Sequence, residues 1–224
     1  MSHEQANGEA RAAEAEATLR RARHQIRNEL QLLTSLTALH LRRVEDPVAH
    51  RELVRCYRRV GVVGVVHQLT ADTGGTVSAD VCLETVADFI EASARTMEDS
   101  RSFDLDLDLT PIRWRHDHAT RIALIVDELF ANAMDHALPH VGAEAGGSTL
   151  VLSLAPVEGR LCLCLRDRGP GVPAGFDPAA GDTLGLPMAC AVAQQLGGAL
   201  ELEPADGGGT AAKLWLPLDP GGPP

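Results

Sequence analysis

Asp127-Glu128-Leu129-Phe130-Ala131-Asn132-Ala133-Met134-Asp135-His136-Ala137 is the stretch on which the reading of this chain turns. Its residues favour a helix, and no Gly or Pro interrupts them. On that helix Glu128, Asn132 and Asp135 fall at i, i+4 and i+7, along one side. A carboxylate and an amide one turn apart can hold Mg2+ or its water shell, because Mg2+ takes few protein ligands and completes its sphere with phosphate oxygens. Asn132 is the candidate metal ligand, and Glu128 the candidate for assisting proton transfer. Taken alone, this is an ordinary polar helix surface. Three later pieces change the reading: Asp167-Arg168-Gly169-Pro170-Gly171, then Thr183-Leu184-Gly185-Leu186, then Gly207-Gly208-Gly209-Thr210. Asp167 ends an apparent strand, where its carboxylate can accept from an exocyclic amine such as that of adenine. Gly169 and Gly171 let the backbone turn tightly against a ligand. Gly185, followed by Leu186, opens a helix whose free N–H groups suit phosphate. Gly209 and Thr210 return the last strand under the site, and the residues between Gly171 and Gly185 read as a cover. The ordered set is a nucleotide pocket in pieces.

The rest of the chain bounds what such a pocket can serve. Its 224 residues suffice for one medium domain and a smaller one. Hydrophobic residues make up 45% and aromatics only 3%, so the core is built from Leu, Val, Ala and Ile. A net charge of −11 argues against a nucleic-acid partner, which needs clustered Lys and Arg; Lys213 is the only lysine. Five cysteines form neither a metal spacing nor an even disulfide set. Cys162 and Cys164 share one face of an apparent strand and read as small packing residues of a reducing compartment. The polar, acidic start is not a secretory signal, and no apolar run approaches a membrane span. These features lead to the expectation of a soluble, cytoplasmic protein with no membrane contact.

Residues 9–44 read as one long helix, with Leu19, Ile26, Leu30, Leu33 and Thr37 recurring at helical steps. Pro47, capped by Asp46, begins a second helix that runs to about Thr70 with Leu53, Tyr57, Val60, Gly64 and His67 on one face. The two form an antiparallel hairpin whose apolar stripe needs a partner, and a homodimer making a four-helix bundle supplies it. A linker over 71–76 follows. Helices are expected over 78–97, 117–138 and 185–196, and strands over 103–109, 148–154, 160–166, 199–203 and 211–218. The fold class is α+β, one helical layer on one sheet. The expected divisions are residues 1–74 for the hairpin, 75–218 for the sandwich and 219–224 for a disordered tail.

The four pieces, in this order, resemble the GHKL-type α/β sandwich ATP-binding domain shared by histidine kinases, type II topoisomerases, one family of heat-shock chaperones and mismatch-repair ATPases. The resemblance implies bound Mg-ATP, with adenine on Asp167 and the metal on Asn132. His24-Gln25-Ile26-Arg27-Asn28-Glu29-Leu30-Gln31 resembles the phosphoacceptor segment of the second subgroup of histidine kinases. Helical geometry puts His24, Asn28 and Gln31 on one stripe, away from the apolar one, so His24 is expected in solvent. A neutral imidazole nitrogen there can act as nucleophile, with Asn28 beside it. The resemblance implies ATP-dependent phosphorylation of His24, then transfer to an Asp of a response regulator receiver domain, with a possible separate sensor protein as the source of signal. Asp135 stands where a Lys often contacts phosphate, and the cover carries only Asp177 and Asp182 as charges, so weak nucleotide affinity or slow turnover is expected. A histidine phosphotransfer protein with a vestigial ATP site is the alternative; an anti-sigma serine kinase would lack the His24 hairpin.

Overall fold

Two long helices lead the chain in the computed structural model, which describes residues 2–71, 73–97, 103–138, 149–180 and 184–218. The first, α1 (Ser2–Leu41), begins seven residues before the expected start at Glu9 and takes Gly8 into the helix. It turns over at Arg42 and Arg43, and α2 (Pro47–Ala71) runs back along it. Asp46 caps α2 as expected: its Oδ1 accepts from the Ala49 N–H at 2.8 Å. The valine- and glycine-rich stretch 60–66 is helical throughout. Gly61 has a packing reason to be there, since a Cβ would overlap the ring of Phe89, which rests against the helix backbone.

The packed face of α1 differs from the expected one. Arg23, Arg27, Leu30, Thr34 and Thr37 are half-buried and Leu41 is buried, at alternating four- and three-residue steps. Ile26 and Leu33, expected on the packed stripe, are exposed, as are Leu32, Leu36 and Leu39; the side chain of Leu19 lies outside the described residues. Two neighbouring stripes of α1 satisfy the same helical spacing, and α2 takes the one that carries Arg23 and Arg27, whose Nη1 and Nε respectively turn inward, toward the Ala71 carbonyl and into the packing. On α2, the residues expected on one face are only half-buried, apart from His67. The buried side is Val54, Arg58, Gly61, Val62 and Val66, because α3 (Ala79–Met97) and α4 (His116–Asn132) cover it.

The five-stranded sheet has the order β2-β4-β5-β7-β6. Its strands are β2 (Asp104–Leu109), β4 (Thr149–Val157), β5 (Arg160–Arg166), β6 (Ala199–Pro204) and β7 (Thr210–Pro217). Only the β2–β4 pair is parallel. Alternation decides the layers: Leu161, Leu163 and Leu165 are buried under α3, α4 and α5 (Gly185–Gln195), while Cys162 and Cys164 lie half-exposed on the other face. The sheet edges are acidic, with exposed Asp104, Asp106 and Asp108 on β2 and Glu201 and Glu203 on β6. The expected linker 71–76 enters a small second sheet, β1 (Thr76–Ser78) against β3 (Arg113–Arg115). Strands of three residues are too short to show a period in sequence. The expected helix over 117–138 also changes character, because after Asn132 it widens into a π-helical turn, Ala133–Ala137. The tail 219–224 lies outside the described residues.

The hairpin and the sheet-bearing body are joined by charge as well as by apolar packing. Arg58 Nε donates to Asp127 Oδ1 at 3.0 Å, with both side chains 1% exposed. Burial pushes the Asp127 carboxyl up to about 6, against the pull of the Arg58 guanidinium, so the pair is ionic at neutral pH. Removing one partner of such a pair strands the other charge away from water. Arg58→Ala is therefore expected to cost about 3–5 kcal/mol of stability, measured by denaturant unfolding. The double replacement by apolar residues of similar volume should recover most of that loss.

Candidate functional site

The π-helical turn at the end of α4 and the loop after β5 face each other across a cavity of about 600 Å3. This lies within the roughly 300–1,000 Å3 typical of small-molecule sites. Its apolar walls include Leu129, Leu165, Phe176, Leu202 and Ala212, and its polar lining includes Asn132, Asp167, His136 and Thr210. π-Helical turns widen a helix locally and cluster at functional sites; here the turn lines the cavity with Ala133, His136 and Ala137.

Two polar groups stand ready for a ligand. Asp167, 8% exposed, uses only its Oδ1 internally, accepting from the Gly169 N–H at 2.8 Å and the Thr210 N–H at 3.0 Å. Its Oδ2 is left to accept from whatever enters. Asn132 Nδ2 is buried with no hydrogen-bond partner among the described residues, and a buried unpaired amide is costly unless a ligand satisfies it.

Glycines set the close approaches. Gly209 has φ +92°, and a Cβ there would overlap the Asp167 carbonyl. Gly185 begins α5 against the Glu128 carboxylate, leaving no room for a Cβ. Gly171 and Leu186 line the cavity, and Gly169 packs against Ala137 at its edge. The residues singled out in sequence thus gather from four separated segments. Thr183 and Asp182 of the cover lie outside the described residues.

Beside the cavity, α2 runs antiparallel to α4 and meets its acidic stretch rung by rung. Arg55 Nη2 pairs with Asp135 Oδ2 at 2.7 Å, Arg58 with Asp127, and Arg59 Nη2 with Glu128 Oε2 at 3.0 Å. A fourth contact, between Thr70 Oγ1 and His116 Nδ1 at 2.8 Å, closes the far end. Glu128, only 4% exposed, is held by an arginine of the hairpin rather than directed into the cavity.

Two family profiles match the chain, one described as histidine kinase over residues 22–94 and one as histidine kinase-, DNA gyrase B-, and HSP90-like ATPase over residues 117–220. The chain carries a segment of each kind, the histidine kinase segment first and the ATPase segment after it. The sensor histidine kinase PdtaS of Mycolicibacterium smegmatis is 29% identical over 213 residues, covering 91% of this chain and 40% of the relative. The signal transduction histidine-protein kinase AfsQ2 of Streptomyces coelicolor is 28% identical over 231 residues, covering 89% of this chain and 41% of the relative. The chain thus spans about 40% of the length of these curated relatives. Among solved structures, the histidine kinase domain of the blue-light activated histidine kinase EL346 from Erythrobacter litoralis shares the fold. Its TM-score is 0.62 at 23% identity, covering 84% of this chain and 96% of that one.

His24 and Asn28 are exposed on α1, as the helical geometry requires, but they lie far from the cavity. Arg23, next to His24, donates to the Ala71 carbonyl at 3.0 Å, level with the start of α4. Asn132 is at the other end of that 17-residue helix, a separation of about 25 Å along its axis. Arg55, Arg58 and Arg59 had no role in the sequence reading. Their signal was three arginines close together on one helix and three acids, Asp127, Glu128 and Asp135, on another. Nothing in a single sequence says that the two helices meet.

Gly185→Ala checks how tightly this corner is built. The added methyl must displace either Glu128, held by Arg59, or the start of α5. Such overpacking is expected to cost about 1–3 kcal/mol in thermal unfolding and to weaken nucleotide binding measured by calorimetry.

Proposed function

We propose that this chain is the catalytic part of a two-component histidine kinase that phosphorylates His24 from Mg-ATP and passes the phosphoryl group to an aspartate of a response regulator. Residues 1–74 serve as the dimerisation and phosphoacceptor hairpin, and 75–218 as the ATP-binding body. The observation that carries this reading is the cavity in which Asp167 Oδ2 and Asn132 Nδ2 stand without internal partners between segments in the family's order.

In this reading Asp167 takes the exocyclic amine of adenine, Phe176 and Leu202 face the base, and the N–H groups at Gly185 and Leu186 take phosphate oxygens. Asn132 would hold Mg2+ through its side-chain oxygen, and the ion would supply charge neutralisation. His24 attacks the γ-phosphorus with an imidazole nitrogen. The N–P bond forms as the P–O bond to ADP breaks, and the other ring N–H loses its proton to a base, for which Glu128 is the candidate. Asn28, one turn along, orients the ring. Two features of the structure bear on the rate. Glu128 must part from Arg59, and His24 of the same or a partner chain must be brought to the cavity; the docked arrangement is therefore a resting one.

The hairpin exposes Ile26, Leu32, Leu33, Leu36 and Leu39 along α1, an apolar stripe suited to a second copy of the same helix. Leu33→Glu with Leu36→Glu is expected to leave a folded monomer, read by light scattering after size exclusion. A dimer that persists would remove this stripe from the interface.

The direct test of function is incubation with γ-labelled Mg-ATP. Label that is acid-labile and alkali-stable in the parent chain, and reduced to background in His24→Ala, is the expected result. Absence of label from a folded dimer, with label acquired from a phosphorylated receiver domain, would favour the phosphotransfer alternative.

A further inference from the structure

A second, smaller cavity lies on the other side of the hairpin–body junction, at the far end of α4 from the nucleotide site. Its volume is about 160 Å3, and Arg23, His67, Thr70, Ala71, Gly75 and His116 line it. It is far below the roughly 300–1,000 Å3 of ordinary small-molecule sites, which limits its occupant to a small ion or a single chemical group.

The lining has one sign of charge. Arg23 reaches in from α1, His67 from α2, and His116 from the first residue of α4; Arg27, one turn along α1 from Arg23, stands outside the lining but close enough for its charge to act on His67. Among the described residues, the charges acting on His67 are those of His116, Arg27 and Arg23, with no carboxylate among them. This occurs in a chain with 31 acidic residues against 20 basic ones, where the neighbouring arginines of α2 are each matched to an acid.

Polar groups here also lack partners among the described residues. His67 is 9% exposed, and its Nδ1 is buried with no hydrogen-bond partner. Arg27 Nε is buried and unpartnered as well. Thr70 Oγ1 lies 2.8 Å from both the Val66 carbonyl and His116 Nδ1, so it holds the His116 ring in place at the cavity wall. Arg23 is anchored by its bond to the Ala71 carbonyl, which spends one of its five donors. Buried donors without acceptors carry a free-energy penalty that an oxyanion would remove.

We propose that this cavity is an anion site for a phosphate group, held by Arg23 and the His67 and His116 rings with the charge of Arg27 close by, directly beside the turn of α1 that carries His24. The same chemistry has two sources: free inorganic phosphate, or a phosphoryl group carried on His24 itself. In the absence of an anion the His67 ring is pushed below its ordinary value, by burial first and then by His116, Arg27 and Arg23. Those causes make His67 neutral near pH 7. An anion among the four groups opposes them, so binding takes up a proton at His67 and tightens as pH falls through the ring's pKa.

The test follows the histidine ring nitrogens by nitrogen-15 NMR on the full chain, titrated with sulfate (whose charge is constant over this range), inorganic phosphate, or chloride at matched ionic strength. Saturable shifts at His67 and His116 with sulfate and phosphate but not chloride are expected. With Arg23→Gln and Arg27→Gln together the affinity should fall by about tenfold or more, equivalent to about 1.4 kcal/mol. Shifts that only track ionic strength, or that survive the double substitution unchanged in a folded protein, overturn the proposal. If the double variant does not fold, either single substitution is read in the same way. Treatment with phosphoramidate, which phosphorylates histidine without an enzyme, separates the sources. Movement of His67 without added anion, absent in His24→Ala, identifies the chain's own phosphohistidine; a response to free ions alone identifies inorganic phosphate. Neither arm needs kinase activity, so this proposal and the kinase reading can fail separately.

Discussion

A guanidinium and a carboxylate withdrawn from water, Arg58 and Asp127, govern how the helical hairpin meets the sheet-bearing body. Burying two charges is costly, and the cost is offset only when they meet in good geometry. That requirement fixes the rotation and height of α2 against α4. Once it is met, Arg55 faces Asp135, Arg59 faces Glu128, and Thr70 faces His116. Sliding α2 by one turn would leave several of these groups unmatched at once. Apolar contacts alone, such as Phe89 against Gly61, would tolerate such a slide more readily than charges do.

The same ladder gives the acidic stretch of α4 two duties. Asn132 and the π-helical turn face the cavity, while Asp127, Glu128 and Asp135 face the hairpin. Asp135, which in the sequence reading stood where a phosphate-binding cation was expected, is engaged here as the acid that receives Arg55. Its identity is explained by docking without reference to the nucleotide. Glu128 lies between the two duties, touching Gly185 on the cavity side and Arg59 on the hairpin side. A residue in that position couples the state of the pocket to the attachment of the helices.

The fold was readable in sequence wherever a period or a punctuating residue was long or specific enough. Asp46-Pro47 marked the start of α2, Glu158-Gly159 the β4–β5 turn, and the glycine-bearing pieces around Asp167, Gly185 and Gly209 converged as their order implied. What escaped was pairing between elements. Ile26 and Leu33 satisfy a helical stripe as well as Arg27 and Thr34 do, and only the partner helix decides between them. The three-residue strands around Val77 and Trp114 carry too few residues to show alternation. The widening after Asn132 leaves no mark in composition. The pairing of the α2 arginines with acids of α4 depends on two helices far apart in sequence.

The acidic edges of the sheet bear on how copies of this chain can associate. An open edge offers unpaired backbone groups to any strand that comes alongside, and two copies could in principle join their sheets into one. Here such a union would bring Asp104, Asp106 and Asp108 of one copy against the same row in another, or Glu201 and Glu203 against theirs. Like charges in register repel. Edge-to-edge joining of the sheets is thereby disfavoured, and each body keeps its sheet to itself.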